Sequence, residues 1–356
     1  ITLPDNITSI GNNTFAMCTN LTSISIPDGG TSIDTWAFEN CTNLTSITIP
    51  DSAISIGERV FEYCYNLQYN EYDNGYYLGN NDNKYLVLVK LKNKNITSCV
   101  INEGTKIIVS DVFDNCANLT TITLPNDITS IDMQMFEGCS ELTNITIPDS
   151  VTSIGYAAFQ GCSSLTSVTI PDSVTFIDRS AFSDCNGLTS VYYLGTIDQW
   201  AEINFGSYDA NPLYYAKKLY INNELVTEAN LTTATKISAC AFYNCSGLTS
   251  VTIPDSVTSI GSFAFSGCTG LTSVTIPGSV TSIGYSAFTG CTGLTNITIP
   301  DSITSIGTET FCGCSNLTSI TIPDGVTIIE YAAFSNCNKL EKVFYCGNEE
   351  KWRALL

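Results

Sequence analysis

Apolar residues recur along this chain in one short, fixed arrangement. In LTSVTIPDSVTSIGSFAFSGCTG, residues 248–270, Leu248, Val251 and Ile253 hold the first, fourth and sixth places with polar residues around them, the alternation of a half-buried strand. Pro254 and Asp255 follow. A residue that presets φ, followed by one that bonds to its own backbone, turns the chain, so the strand stops there. A second extended run, Val257 to Ile260, leads to Gly261, where the backbone is free to bend. Ala264, Phe265 and Cys268 then stand at roughly helical spacing over a single turn, too short to be stable alone but sufficient for a helical or 3-10 turn. The unit reads strand, turn, short strand, helical turn.

The same 23 residues return, lightly edited, from one end of the chain to the other. A unit of this size cannot bury its own apolar face and must stack on neighbours. Stacking puts parallel strands in register with Leu, Ile, Val, Phe and Cys inside. The expected fold is therefore an α/β repeat solenoid, a right-handed coil of 23-residue units with a parallel β-sheet on the concave face and short helical or 3-10 turns on the convex face. Length then counts coils, and residues 1–356 are expected to form a single solenoid, with regular coils over 1–66, 96–187 and 248–339.

Two stretches break the pattern. Residues 67–95 contain YDNGYYLGNNDNKYLVLVKLKNKN, where Asn-Gly and Asn-Asp turn signals separate strand-like aromatic and β-branched runs, so a protruding hairpin is predicted. Residues 188–247 open VYYLGTIDQWAEINFGSYDANPLYYAKKLYINNELV; a short amphipathic helix over Asp198 to Phe205 and a hairpin around Asn222 and Asn223 are predicted there. The tail, residues 340–356, matches the opening of that second insert: Phe344, Tyr345, Gly347 and Trp352 stand where Tyr192, Tyr193, Gly195 and Trp200 stood.

The pattern LTSITIPxSVTSIGxxAFxxC resembles the BspA-type leucine-rich repeat of surface proteins from gut and oral bacteria and some mucosal protozoa, over most of the chain. The resemblance implies a leucine-rich-repeat fold and a surface-binding or adhesive role. It supplies no shared catalytic motif, and no binding residue is carried over by position.

Composition narrows the partners. With 34 acidic residues against 14 basic ones and no His, the formal charge is −20, which argues against nucleic acid or anionic lipid as a partner. The longest apolar runs are far below a membrane span, so no direct membrane insertion is expected in this segment. The first residue already lies inside a strand, and the chain is expected to be part of a longer secreted or cell-surface protein whose signal and anchor lie elsewhere. A monomer is expected.

Twelve cysteines, from Cys18 and Cys41 to Cys314 and Cys337, hold one place in the unit. Their Cβ vectors on stacked coils run side by side, which does not offer disulfide geometry, so buried thiols acting as small apolar residues are expected. One Cys per coil with no His also lacks zinc spacing. Neither metal nor cofactor is expected.

Two surfaces are candidates for function. The third and fifth unit places form a lattice of hydroxyls on the strand face, including Thr146, Thr169, Thr252 and Thr275. Thr also simply suits an exposed strand. Aromatic residues break the lattice at the inserts: Tyr72, Tyr76, Tyr77, Tyr192, Trp200 and Tyr208. Such rings anchor interfaces, or they seal the small core of each insert. Asp28, Asp51, Asp149, Asp172, Asp255, Asp301 and Asp324 are read as turn formers. There is no His, no nucleophile elbow and no phosphate loop, so no catalytic residue is proposed. The reading is a non-enzymatic extracellular or cell-surface module binding a host or extracellular-matrix protein or a glycan through the concave face and the rims of the inserts. The alternative is a structural stalk or spacer that displays another domain.

Overall fold

Each regular coil begins with the predicted strand. In the computed structural model, which describes residues 2–355, Ser23–Ser25 pairs in parallel with Ser46–Thr48, Ser23 opposite Ser46 and Ser25 opposite Thr48. Ile24 and Ile47 point inward and are buried while the flanking hydroxyl residues stay exposed. After the Pro-Asp turn, the short strands Ser9–Ile10, Ser32–Ile33 and Ser55–Ile56 form a second parallel sheet. The fold is a parallel-sheet solenoid with turns of about 23 residues and few helices.

The third segment of the coil makes the i→i−3 bonds expected of a 3-10 turn, without becoming a helix. Ala16 N–H donates to Asn13 O and Cys18 N–H to Phe15 O, while the alternate amides of Phe15 and Met17 donate to Ala37 and Glu39 of the next coil. A residue with positive φ recurs every fourth position, Asn13 and Met17, then Trp36 and Asn40, and this reversal stops the helix. In most coils the second of these places holds Asn or Gly, as at Asn40, Asn115, Gly138, Gly161 and Gly267, which tolerate the left-handed region at low cost, although Met17 and Tyr63 hold it too.

The chain divides into two compact units, Ile1–Leu165 with Ser183–Asn186, and Thr166–Phe182 with Gly187–Leu356. In the first, the half-buried Phe15 and the buried Phe38 and Phe61 stack at 5.3 and 5.9 Å, and the buried Phe113, Phe136 and Phe159 at 5.4 Å. Phe242, Phe265, Phe288, Phe311 and Phe334 make the same column in the second, at 5.3–5.6 Å. Burying one such ring contributes roughly 2–3 kcal/mol.

The first insert interrupts the column between Phe61 and Phe113. Asn70–Tyr72 and Gly75–Leu78 form a hairpin that turns at Asp73 and Asn74, and Gly75–Leu78 pairs antiparallel with Val87–Leu91. Val87 and Leu88 then pair in parallel with Ile107 and Ile108. The predicted hairpin is present, but its far strand is woven into the coil and Leu86, Val87 and Leu88 are fully buried.

In the second unit, Ser190–Tyr193 pairs in parallel with both Ser167–Ile170 and Leu219–Ile221. Helix α1 (Ile197–Glu202) starts from a capping box in which Thr196 and Gln199 exchange side-chain and backbone bonds. It ends before the predicted Phe205 because Asn204–Phe205 joins Phe176–Ile177 as a strand. The short helix α2 (Leu213–Ala216) follows, and Leu219–Ile221 then turns through Asn222 and Asn223, both at positive φ, into Glu224–Leu225 as the hairpin predicted. The tail repeats the opening of this insert. Lys342–Tyr345 pairs in parallel with Ser319–Ile322, helix α3 (Glu349–Leu355) follows, and Tyr345 lies 5.4 Å from Trp352, as Tyr193 lies 5.2 Å from Trp200.

Candidate functional site

The strand face carries the hydroxyl lattice in both units. In the second, Asn230, Thr252, Thr275, Thr298 and Thr321 follow one another across the coils, and Thr252 Oγ1 donates to Asn230 Oδ1 at 3.1 Å. Thr252 and Thr275 are exposed. Thr146 is likewise exposed on Asn144–Thr146 in the first unit. The inward neighbours Val251 and Val274 are buried, so the lattice is backed by a closed core that holds it in place.

Within the second unit the lattice runs into aromatic rings. Thr169 stands opposite Tyr192, and Tyr192 opposite Tyr220. The two rings stack with centroids 5.0 Å apart and 24° between planes. Tyr220 was not singled out from sequence, because its neighbour lies a full irregular coil away.

The other predicted aromatics divide. Tyr77 and Trp200 are completely buried, which corrects their reading as contact residues: they are the cores of their inserts. Tyr77 packs edge-on against Tyr72 and Tyr85, and burial pushes its hydroxyl up to about 12. Trp200 donates its Nε1 hydrogen to Ala241 O at 2.8 Å and packs on Tyr193 and Phe205. Tyr72 is 38% exposed and Tyr76 half-buried on the first insert, whereas Tyr208 is 46% exposed in the second.

The interrupted Phe column leaves a cleft of about 420 Å³ in the first unit, lined by Phe61, Tyr69, Lys90, Lys94, Asp111 and Asp114 among others. Burial raises the Asp111 carboxyl and lowers the Lys90 ammonium from their ordinary values. Lys94 Nζ is tied to the carbonyl oxygens of Asp111 and Asp114, each at 2.9 Å. The cleft holds no paired nucleophile and base.

The cysteine column has a role that sequence reasoning did not reach. Cys41 Sγ donates to Phe15 O at 3.1 Å, Cys139 to Phe113 O at 3.2 Å and Cys268 to Phe242 O at 3.0 Å, each reaching the preceding coil. Burial raises these thiols, Cys139 to about 12, so they stay protonated and able to donate. All sixteen cysteines are free. Among the described residues no cluster of three or more His, Cys, Asp or Glu is placed to hold a metal ion. Nor is any described helix long and apolar enough to cross a membrane.

A stack of short parallel strands closed by hydrogen-bonded turns, with a polar lattice outside, defines a repeat-protein scaffold. The family model for the BspA type leucine rich repeat region matches residues 1–81, 90–209 and 235–354. The chain belongs to that family. Among solved structures, it is similar to a leucine rich cell surface protein from Faecalibacterium prausnitzii A2-165, at 31% identity over 99% of this chain and 89% of that one, with a TM-score of 0.52. It is also similar to a leucine-rich repeat protein from Bacteroides ovatus ATCC 8483, at 26% identity over 98% of this chain and 92% of that one, with a TM-score of 0.49. The chain matches no curated protein.

Proposed function

We propose that this chain is a non-catalytic binding module, displayed outside the cell, that recognises an extracellular protein or glycan through the Ser/Thr face of its strands. Membership of a surface-protein family supports a protein-binding or adhesive role. The observation that carries the choice of face is the row Thr169, Tyr192, Tyr220, all half-buried, where the lattice meets a stacked pair of tyrosines at the edge of an insert. Tyrosine supplies large contact area with a polar tip at small entropic cost. The lattice supplies hydroxyls that donate and accept.

The test is capture of extracellular-matrix proteins and mucins on a surface carrying the full chain. Tyr192→Ala with Tyr220→Ala is expected to weaken capture by about tenfold or more, the loss typical of removing an interface anchor, with unchanged far-ultraviolet circular dichroism. Equal capture by the variant would move the site off this face. The burial of Tyr77 and Trp200 favours a second reading, a spacer whose inserts are packed structural elements. A spacer binds none of these partners.

A further inference from the structure

Six aromatic rings gather on the outer turns of the second unit, away from the strand lattice. Tyr208 lies 5.6 Å from Tyr214, 5.8 Å from Tyr243 and 6.3 Å from Phe263. Tyr214 lies nearly parallel to Tyr243 at 13° and edge-on to Tyr215, and Phe263 touches Tyr285 at 4.6 Å. Tyr208 and Tyr285 are 46% and 51% exposed, and the other four are half-buried. The group is continuous, although its members come from the second insert and two successive coils.

These rings do not fill the core. The Phe column does that, with Phe242, Phe265 and Phe288 fully buried behind the turns. Phe263 also occupies a left-handed backbone position, at φ 57°, where neighbouring coils carry Ser286, Glu309 or Ala332. A bulky side chain costs more there than a small or polar one. An exposed aromatic patch that stability does not require is a recognition surface.

Chemistry narrows the ligand. All six rings are uncharged, five end in a phenol hydroxyl, and the chain carries −20, so acidic partners are repelled at long range. A neutral partner is needed that offers flat apolar C–H faces edged by hydroxyl groups. Pyranose sugars have that character, and a phenol ring offers a π-face and a hydroxyl to meet it.

We propose that the platform formed by Tyr208, Tyr214, Tyr215, Tyr243, Phe263 and Tyr285 binds a neutral glycan. It rests on the reading of this chain as a binding module but places a second site on another face. A second copy of this chain is the competing occupant, and self-repulsion of the acidic chains opposes it.

The test is tyrosine fluorescence and calorimetry of the full chain with neutral β-linked glucan, mannan and galactan oligosaccharides, and with sialylated counterparts. At least one neutral oligosaccharide is expected to bind in the millimolar range or tighter, and its sialylated form more weakly. Tyr208→Ala with Tyr285→Ala is expected to weaken binding by about tenfold or more. Tyr285→Ala alone, which disturbs one exposed ring, keeps the test valid if the double variant unfolds, and a clear loss is again expected. Tyr156→Ala, which removes an exposed ring outside the platform, leaves sugar binding unchanged. The proposal is overturned if no neutral oligosaccharide binds, if binding survives in the platform variants, or if these variants only abolish concentration-dependent dimerisation. Sugar binding that survives in the platform variants but is lost in Thr252→Ala with Thr275→Ala would also overturn it, while leaving a strand-face binding module intact.

Discussion

At the scale of single residues, the repeated Cys acts as a donor as well as a small apolar filler. The column position was legible in sequence, as was its burial. The bond to the preceding coil was not, because it links Cys162 to Phe136 O across 26 residues, a separation set by the path of the coil. Cys162→Ala is expected to cost about 1–2 kcal/mol in urea unfolding, from a small void and an unpaired carbonyl; no measurable cost would mean the bond is idle. In the native protein, thiol reagents should label Cys18 and Cys346 first, Cys312 and Cys337 more slowly, and the buried twelve only after denaturation. Asp198 gives a second test. Its Oδ1 accepts the backbone N–H groups of Thr232, Thr233 and Ala234 at 2.8–2.9 Å. Desolvation opposes ionisation here, but these three bonds outweigh it and hold the carboxyl below its usual value. A depressed carboxyl stabilises the fold above its unfolded pKa and ceases to do so as pH falls through the folded one. Asp198→Ala should therefore lower the melting temperature at neutral pH, with the difference closing as pH falls below the ordinary carboxylate range; a difference independent of pH would refute this.

At the scale of elements, the regular coil could be read almost completely from its pattern, since strand alternation, the Pro-Asp turn and the Gly bend each have a local cause. The hairpin at Asn222 and Asn223 was legible for the same reason. What escaped sequence were features decided by neighbouring coils. The first hairpin turns at Asp73 and Asn74, a residue before the Asn-Gly signal, because Gly75 is claimed as a strand residue opposite Leu91. Helix α1 is cut short by the pairing of Phe205 with Ile177. The aromatic platform was hidden because Tyr243, Phe263 and Tyr285 sit at places that are polar or small in most coils and meet only once the coils stack. The likeness of tail and second insert rests on Tyr193 with Trp200 and Tyr345 with Trp352; in both, a glycine, Gly195 or Gly347, leaves room that a Cβ would take from the tyrosine ring. Trp200→Ala should destabilise the second unit by about 3–5 kcal/mol, read as an earlier thermal transition. A loss below about 1 kcal/mol would show that Trp200 is not the core of the insert.

At the scale of the whole molecule, charge and repetition dominate. A chain of −20 with four exposed ion pairs among its described residues carries unrelieved self-repulsion. Raising sodium chloride from about 10 to about 150 mM should raise the melting temperature by shortening the Debye length; an unchanged or lower value would contradict that. The central claim is that this repeat scaffold exists to bind. The most direct measurement is surface-plasmon-resonance binding of the full chain to immobilised extracellular-matrix proteins, mucins and glycans, beside a variant combining Thr252→Ala, Thr275→Ala, Tyr192→Ala and Tyr220→Ala. Saturable binding to at least one partner, weakened in this variant, is the predicted result. Absence of binding to every partner would contradict it and leave the spacer reading in its place.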